Sequence, residues 1–179
     1  NSAANMVAQV ESLPELIRSE FDALDARVRR LLNHNEFLSV KRVVLTGCGD
    51  SHMASVATEL TFEQVAGVPT RALTAMQAGR YAAPNFDTAF ARNPLVVGVS
   101  VSGTVARTRE ALVLARRSGA LTVAATGNPQ SPLAQAAETS SATDRPVAAI
   151  APFSAVTSAS VRAGPAGIGS CQISASPAT

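Results

Sequence analysis

The chain has very few aromatic residues. Among 179 residues there is no Trp, one Tyr and six Phe, 4% in all. Large rings therefore cannot carry the core. Val, Leu and Ala, within a composition that is 46% hydrophobic, have to build it by close packing. Charge is also scarce. Fifteen Lys and Arg against 13 Asp and Glu leave a formal net charge of +2. The arginines are scattered, and no basic stripe is interleaved with aromatics, so nucleic acid is not an expected partner. The two cysteines, Cys48 and Cys171, stand in unrelated contexts without CxxC spacing. That argues against a disulfide framework and a zinc site, and no metal or other cofactor is expected. No run reaches the roughly 18 apolar residues of a membrane span, and the first residues carry no apolar signal segment. The expectation is a cytoplasmic protein with no membrane partner. The length suits one ordinary α/β domain with a real core.

What is present is an alternation of short apolar runs and helical patterns. Leu16, Ile17, Phe21, Leu24, Val28, Leu31 and Leu32 recur at helical spacing. With Ser12 as cap, Pro14 near the first turn and His34 and Asn35 as the stop, they predict an amphipathic helix over 12–33. Next come a buried strand over 42–46, a helix over 51–66 closed by Gly67, and a strand over 69–73. A short helix over 75–82, a strand over 94–99 and a helix over 104–118 follow. A strand over 121–126, a last helix over 131–139 and a fifth strand over 146–150 complete the pattern. Such alternation predicts a parallel sheet with helices on both faces, joined by right-handed crossovers. Residues 146–179 are rich in Ala, Ser, Pro and Gly, with Arg162 as their single charged side chain. Beyond 150 they read as a loosely structured segment, or one ordered only by docking. The organisation is thus a helical segment 1–36, a domain 37–150 and a low-charge tail 151–179.

Two strand ends draw attention. The stretch VVLTGCGDSH, 43–52, leaves a β-branched run through Gly47, Cys48 and Gly49, then crowds Asp50, Ser51 and His52 together. A dinucleotide fingerprint would need a third glycine where His52 stands, and an acid closing the second strand, which PTRAL lacks. A hydrolase elbow would need GxSxG, and three consecutive residues cannot form a triad with one another. The second loop, VVGVSVSGTVARTREAL over 96–112, also runs from a β segment through small hydroxylic residues into a helix. Both loops fall at carboxyl ends of parallel strands, where open α/β sheets bind ligands. Helix N-termini there offer unpaired N–H groups and a positive dipole end, which suit a phosphate. Helix capping accounts for one hydroxyl per helix, but less well for the cluster Ser100, Ser102 and Thr104 around Gly103.

Three stretches, GCGDSHMA (47–54), SVSGTVART (100–108) and LARRSGALTVAATGNPQSPLAQAAE (114–138), resemble the SIS (sugar isomerase) domain family. These phosphosugar-binding modules include the isomerase half of glucosamine-6-phosphate synthase. The likeness covers roughly residues 6–140. It implies a three-layer α/β sandwich of the flavodoxin-like SIS type, with a mostly parallel five-stranded sheet, and a homodimer. It implies a sugar phosphate as ligand, met by Ser51, Ser100 and Ser102. Cys48, Gly49 and Asp50 would line the cavity through backbone atoms, with Val101, Gly103 and Thr104 completing the second loop. The activity implied is aldose–ketose isomerisation of a sugar phosphate. The alternatives are a sensor that binds without turnover and a truncated, inactive isomerase.

The chain also departs from the family pattern. Val101 replaces a common Gln, and Thr104-Val105 replaces Glu-Thr. The family's GxExGVASTK-like stretch has its best counterpart in 151–162, with Val156 and Ser158 loosely matched. Phe153 then takes the position of the catalytic glutamate and Ser160 that of the lysine. Isomerisation needs a base. No residue from 146 to 179 is Asp, Glu, His or Lys, so a base would have to come from His34, His52, Glu59 or a second subunit.

Overall fold

The computed structural model describes residues 2–86, 92–137 and 149–150. Five parallel strands form one sheet: β1 (Val43–Gly47), β2 (Thr70–Thr74), β3 (Arg92–Val99), β4 (Ala120–Ala125) and β5 (Ala149–Ile150). Their order is β2-β1-β3-β4-β5. Every residue of β1 is buried, as expected of a parallel strand covered on both faces. The helices are α1 (Ser2–Leu31), α2 (His34–Ser39), α3 (Asp50–Ala66), α4 (Ala106–Arg117) and α5 (Pro132–Ala136).

The direction of crossover sets the layers. The chain moves one way across the sheet from β1 through α3 to β2, and the other way from β3 through α4 to β4. Right-handed crossovers therefore put α3 and α4 on opposite faces. Alternate strand residues feed two cores. Val44, Val96 and Ala124 pack with Ala111, Leu112 and Ala115 of α4 and with Leu133 of α5. Val43, Leu45, Leu95, Leu121 and Val123 pack with Leu32 on the second face. On α4 the buried residues Thr108, Ala111, Leu112 and Ala115 recur at helical spacing and form one inward face. Leu112 and Leu133 are fully buried, each contributing about 1.5–3 kcal/mol.

Several boundaries differ from the sequence-based expectation. α1 begins at Ser2, ten residues before Ser12, and Pro14 lies within it. The Ala-, Met-, Gln- and Glu-containing run ahead of Pro14 has enough helix propensity to continue through the hydrogen bond that proline removes. His34 does not merely follow a helix. It opens α2, because Asn33 and Glu36 form a reciprocal capping box. The expected helix over 75–82 is a π-helical turn, Gln77–Ala82, followed by a 3-10 turn, Ala83–Asn85. α4 starts two residues after Thr104, and α5 is described only for Pro132–Ala136. Of the fifth strand, Ala149 and Ile150 pair with Ala124 and Ala125. The expectation for the tail beyond 150, including Phe153 and Ser160, lies outside the described residues.

Candidate functional site

The sheet order creates the site. β1 and β3 are neighbours although they are not consecutive, and their last residues, Gly47 and Val99, stand in register. The strand order reverses between them, which places a crevice beyond their carboxyl ends. α3 leaves from the first of these ends and α4 from the second.

Neither helix has a side-chain cap. Gly49 is the N-cap of α3, with φ 56° and ψ −130°, a conformation open essentially to glycine alone. Val105 is the N-cap of α4 and offers no hydroxyl or carboxylate. This decides between capping and another role for the hydroxyl cluster. Ser100 Oγ accepts from Gly103 N at 3.2 Å. Ser102 Oγ accepts from Thr104 N at 3.3 Å, and it lies 2.9 Å from Thr104 Oγ1. These bonds shape the loop and leave the N-terminus of α4 without a side-chain partner. By contrast, α5 is capped in the usual way, with Ser131 Oγ accepting from Ala134 N.

The loop after β4 completes the wall. Gly127 N donates to Val101 O at 3.0 Å, and Leu133 N donates to Gly103 O at 3.0 Å. The result is a cavity of about 640 Å³ lined by Cys48, Asp50, Ser51, Ser100, Val101, Ser102, Val105, Gly127 and Asn128. Six of the nine residues proposed from sequence therefore surround one space. Gly49 is not among the lining residues. Gly103 is buried behind the wall against Ser131 and Thr126, and Thr104 turns its hydroxyl to Ser102. Val105, Gly127 and Asn128 were not anticipated. The signal for the last two was available: Thr126-Gly127-Asn128 follows a strand at the same edge of the sheet.

Asp50 is the only charged residue among the described residues lining the cavity. The thiol of Cys48 faces α4, where Thr108 Oγ1 donates to its Sγ at 3.6 Å. The candidate bases lie elsewhere. Glu59 is not a solvated helix residue, because its Oε2 accepts from Ala72 N at 2.6 Å on the outer strand β2. His52 does not line the cavity, and its Nδ1 is buried without a protein partner. His34 is exposed on α2. Among the described residues no three His, Cys, Asp or Glu side chains converge as a metal site. No described helix is long and apolar enough to cross a membrane.

The doubly wound sheet, with hydroxyl-bearing loops at its switch point, makes this an α/β domain with a parallel sheet, an architecture in which ligands generally bind at that crevice. Residues 36–163 match the SIS domain model, and the chain belongs to that family. Over 135 residues it is 30% identical to glutamine–fructose-6-phosphate aminotransferase (isomerizing) of Gloeobacter violaceus, covering 72% of this chain and 21% of that protein. The Helicobacter pylori protein of the same name is 40% identical over 91 residues, 49% of this chain and 14% of that one. The chain thus spans about a fifth or less of the curated relatives it matches. Two solved structures share the fold. One is the C-terminal domain of glucosamine-fructose-6-phosphate aminotransferase from Francisella tularensis (TM-score 0.54, 17% identity, 87% of this chain and 47% of that one). The other is tagatose-6-phosphate ketose/aldose isomerase from Escherichia coli (TM-score 0.58, 20% identity, 72% and 35%). The expected family and α/β fold class both hold.

Proposed function

We propose that the cavity binds a sugar phosphate and that the chain is the phosphosugar-binding domain of an aldose–ketose isomerase. One observation carries the reading: two helix N-termini without side-chain caps meet Ser51, Ser100 and Ser102 around one cavity. Backbone N–H groups and hydroxyls at such ends are neutral donors suited to phosphate oxygens. The volume of about 640 Å³ lies within the roughly 300–1,000 Å³ typical of small-molecule sites. Of the sequence-derived contacts, Ser51, Ser100 and Ser102 donate to the ligand. Cys48, Gly49, Asp50, Val101, Gly103 and Thr104 shape the surrounding loops.

Thermal denaturation with fructose 6-phosphate and glucose 6-phosphate tests this. Stabilisation at millimolar ligand, weakened several-fold by Ser102→Ala, is the expected result. The absence of any shift in the parent protein would refute the binding claim. A second reading, binding without turnover, is favoured by the lack of His, Glu or Lys among the described lining residues. A coupled assay interconverting the two sugar phosphates separates the readings, because turnover excludes a sensor.

The same proposal includes a homodimer. Met6, Val10, Leu13, Ile17 and Phe21 form an exposed stripe on α1, and Met53, Val56 and Leu60 form another on α3. A second copy covering both would remove two apolar faces from water. Light scattering that shows only monomer at high concentration would exclude a stable dimer. The proposed compartment is the cytoplasm, consistent with Cys48 as a free thiol.

A further inference from the structure

β2 is the outermost strand of the described sheet, bonded on one side to β1. An outer strand turns every second N–H and C=O away from its sheet, and such a row can template pairing with another strand. The register identifies the row. Val43 N donates to Pro69 O at 2.9 Å, so Arg71 and Leu73 bond back to β1 while Thr70, Ala72 and Thr74 face outward. Side chains take two of these three outward donors. Ala72 N donates to Glu59 Oε2 at 2.6 Å. Thr74 N donates to Gln77 Oε1 at 3.0 Å, and Thr74 Oγ1 donates to the same oxygen at 3.0 Å. The placement of Glu59 runs against the usual amphipathic order. α3 packs on β1 and β2 with Ser55 buried and Glu59 half-buried, while Val56 and Leu60 are 48% and 64% exposed. Drawing a carboxylate toward the sheet is unfavourable, and a charge-assisted bond to the strand edge offsets that cost.

We propose that Glu59 and Gln77 guard the outer edge of β2, closing it to strand addition by a second copy of the chain. The row they cover is self-complementary. Two copies of β2 set antiparallel about Ala72 would exchange N–H···O=C bonds between the two Ala72 residues, and between Thr70 of each copy and Thr74 of the other. That arrangement joins the two sheets edge to edge, and it needs the same donors that Glu59 and Gln77 hold. The inference does not depend on what the cavity binds or on the apolar stripes of α1 and α3. The competing role is local: Glu59 ties α3 to β2 and Gln77 closes the turn after it, with no bearing on association.

The test combines sedimentation velocity over a wide range of concentration with amide hydrogen exchange, both on the full chain. The parent protein should protect the Ala72 and Thr74 amides at every concentration. In the double variant Glu59→Ala, Gln77→Ala, dilute protein should exchange both amides about tenfold faster, the size of one lost hydrogen bond. On concentration it should assemble to twice the parent's mass, with protection at both amides restored. Glu59→Gln keeps an acceptor and drops the charge, so it should behave like the parent. A folded double variant that keeps the parent's mass at every concentration would overturn the proposal and leave the two side chains with the local role. So would mass gained while Ala72 and Thr74 stay unprotected, because the copies then meet elsewhere. Rapid exchange of the two amides in the parent would overturn it as well. Should the double variant not fold, Gln77→Ala, which frees Thr74 alone, takes its place with the same two readouts at that amide.

Discussion

Replacing Gly103 with alanine would strain the second loop in two separable ways. Gly103 has φ +68°, a region where an L side chain costs about 1–2 kcal/mol. A Cβ at this position would also fall well inside van der Waals contact of Ser131 Oγ and Cβ, and against Thr126 Oγ1. Relieving that overlap means moving the 126–131 loop, which is held by the bond from Gly127 N to Val101 O and by the Ser131 cap on α5. Forced overpacking of this kind costs about 1–3 kcal/mol. The sum is about 2–5 kcal/mol, a large share of a total stability of roughly 5–15 kcal/mol. At about 2–4 °C per kcal/mol for a chain of this size, the melting temperature should fall by about 4–20 °C. Gly67→Ala is the control. Gly67 has nearly the same φ, +64°, and its Cβ would meet nothing within 4 Å. It should lose only the conformational part, about 1–2 kcal/mol. Urea unfolding of both variants isolates the steric part as their difference, and ligand titration should show weaker binding in Gly103→Ala alone. Equal losses in the two variants would refute the packing argument.

Two further outcomes follow from side chains away from the cavity. Glu59→Ala removes the acceptor for Ala72 N on the outer strand and should cost about 1–2 kcal/mol in urea unfolding while leaving ligand affinity unchanged. A loss of turnover or binding in that variant would instead make Glu59 part of the chemistry. Hydrogen bonds from Arg107 and from Arg80 hold the Glu110 carboxyl below its ordinary value of 4.5. Its stabilisation is therefore complete above that value and is lost as pH falls through the lowered one. Melting temperature followed from neutral pH down to pH 3 should decline less steeply in Glu110→Gln, and identical profiles would show that these surface pairs contribute nothing.

Much of the scaffold was legible before the structure, because its signals are local. The run Val43–Gly47 is apolar and β-branched and stops at small residues, so strand and loop could be read without knowing the neighbours. Gly67 closes α3 in the left-handed conformation, as a glycine after a helical pattern should. The misreadings share a cause, which is competition between local preferences. Pro14 looked like a helix start, but the residues before it are themselves good helix formers. Glu59 stood among the possible bases, since nothing in its own helix announces that Ala72 N lies beside its carboxylate.

By itself, the sequence determined that strands and helices alternate and that two strand ends run through small, hydroxylic residues into helices. Both properties depend on a few adjacent side chains and the backbone conformations they favour. Only the tertiary structure decided that β1 sits beside β3, so that Gly47 and Val99 end together and their loops face one cavity. It also brought in Val105, Gly127 and Asn128, left Thr104 bonded to its own loop, and made Asp50 the single charge among the described residues of the cavity wall. Such adjacency comes from burying both faces of the sheet under right-handed crossovers, a property of the whole chain that no short segment encodes.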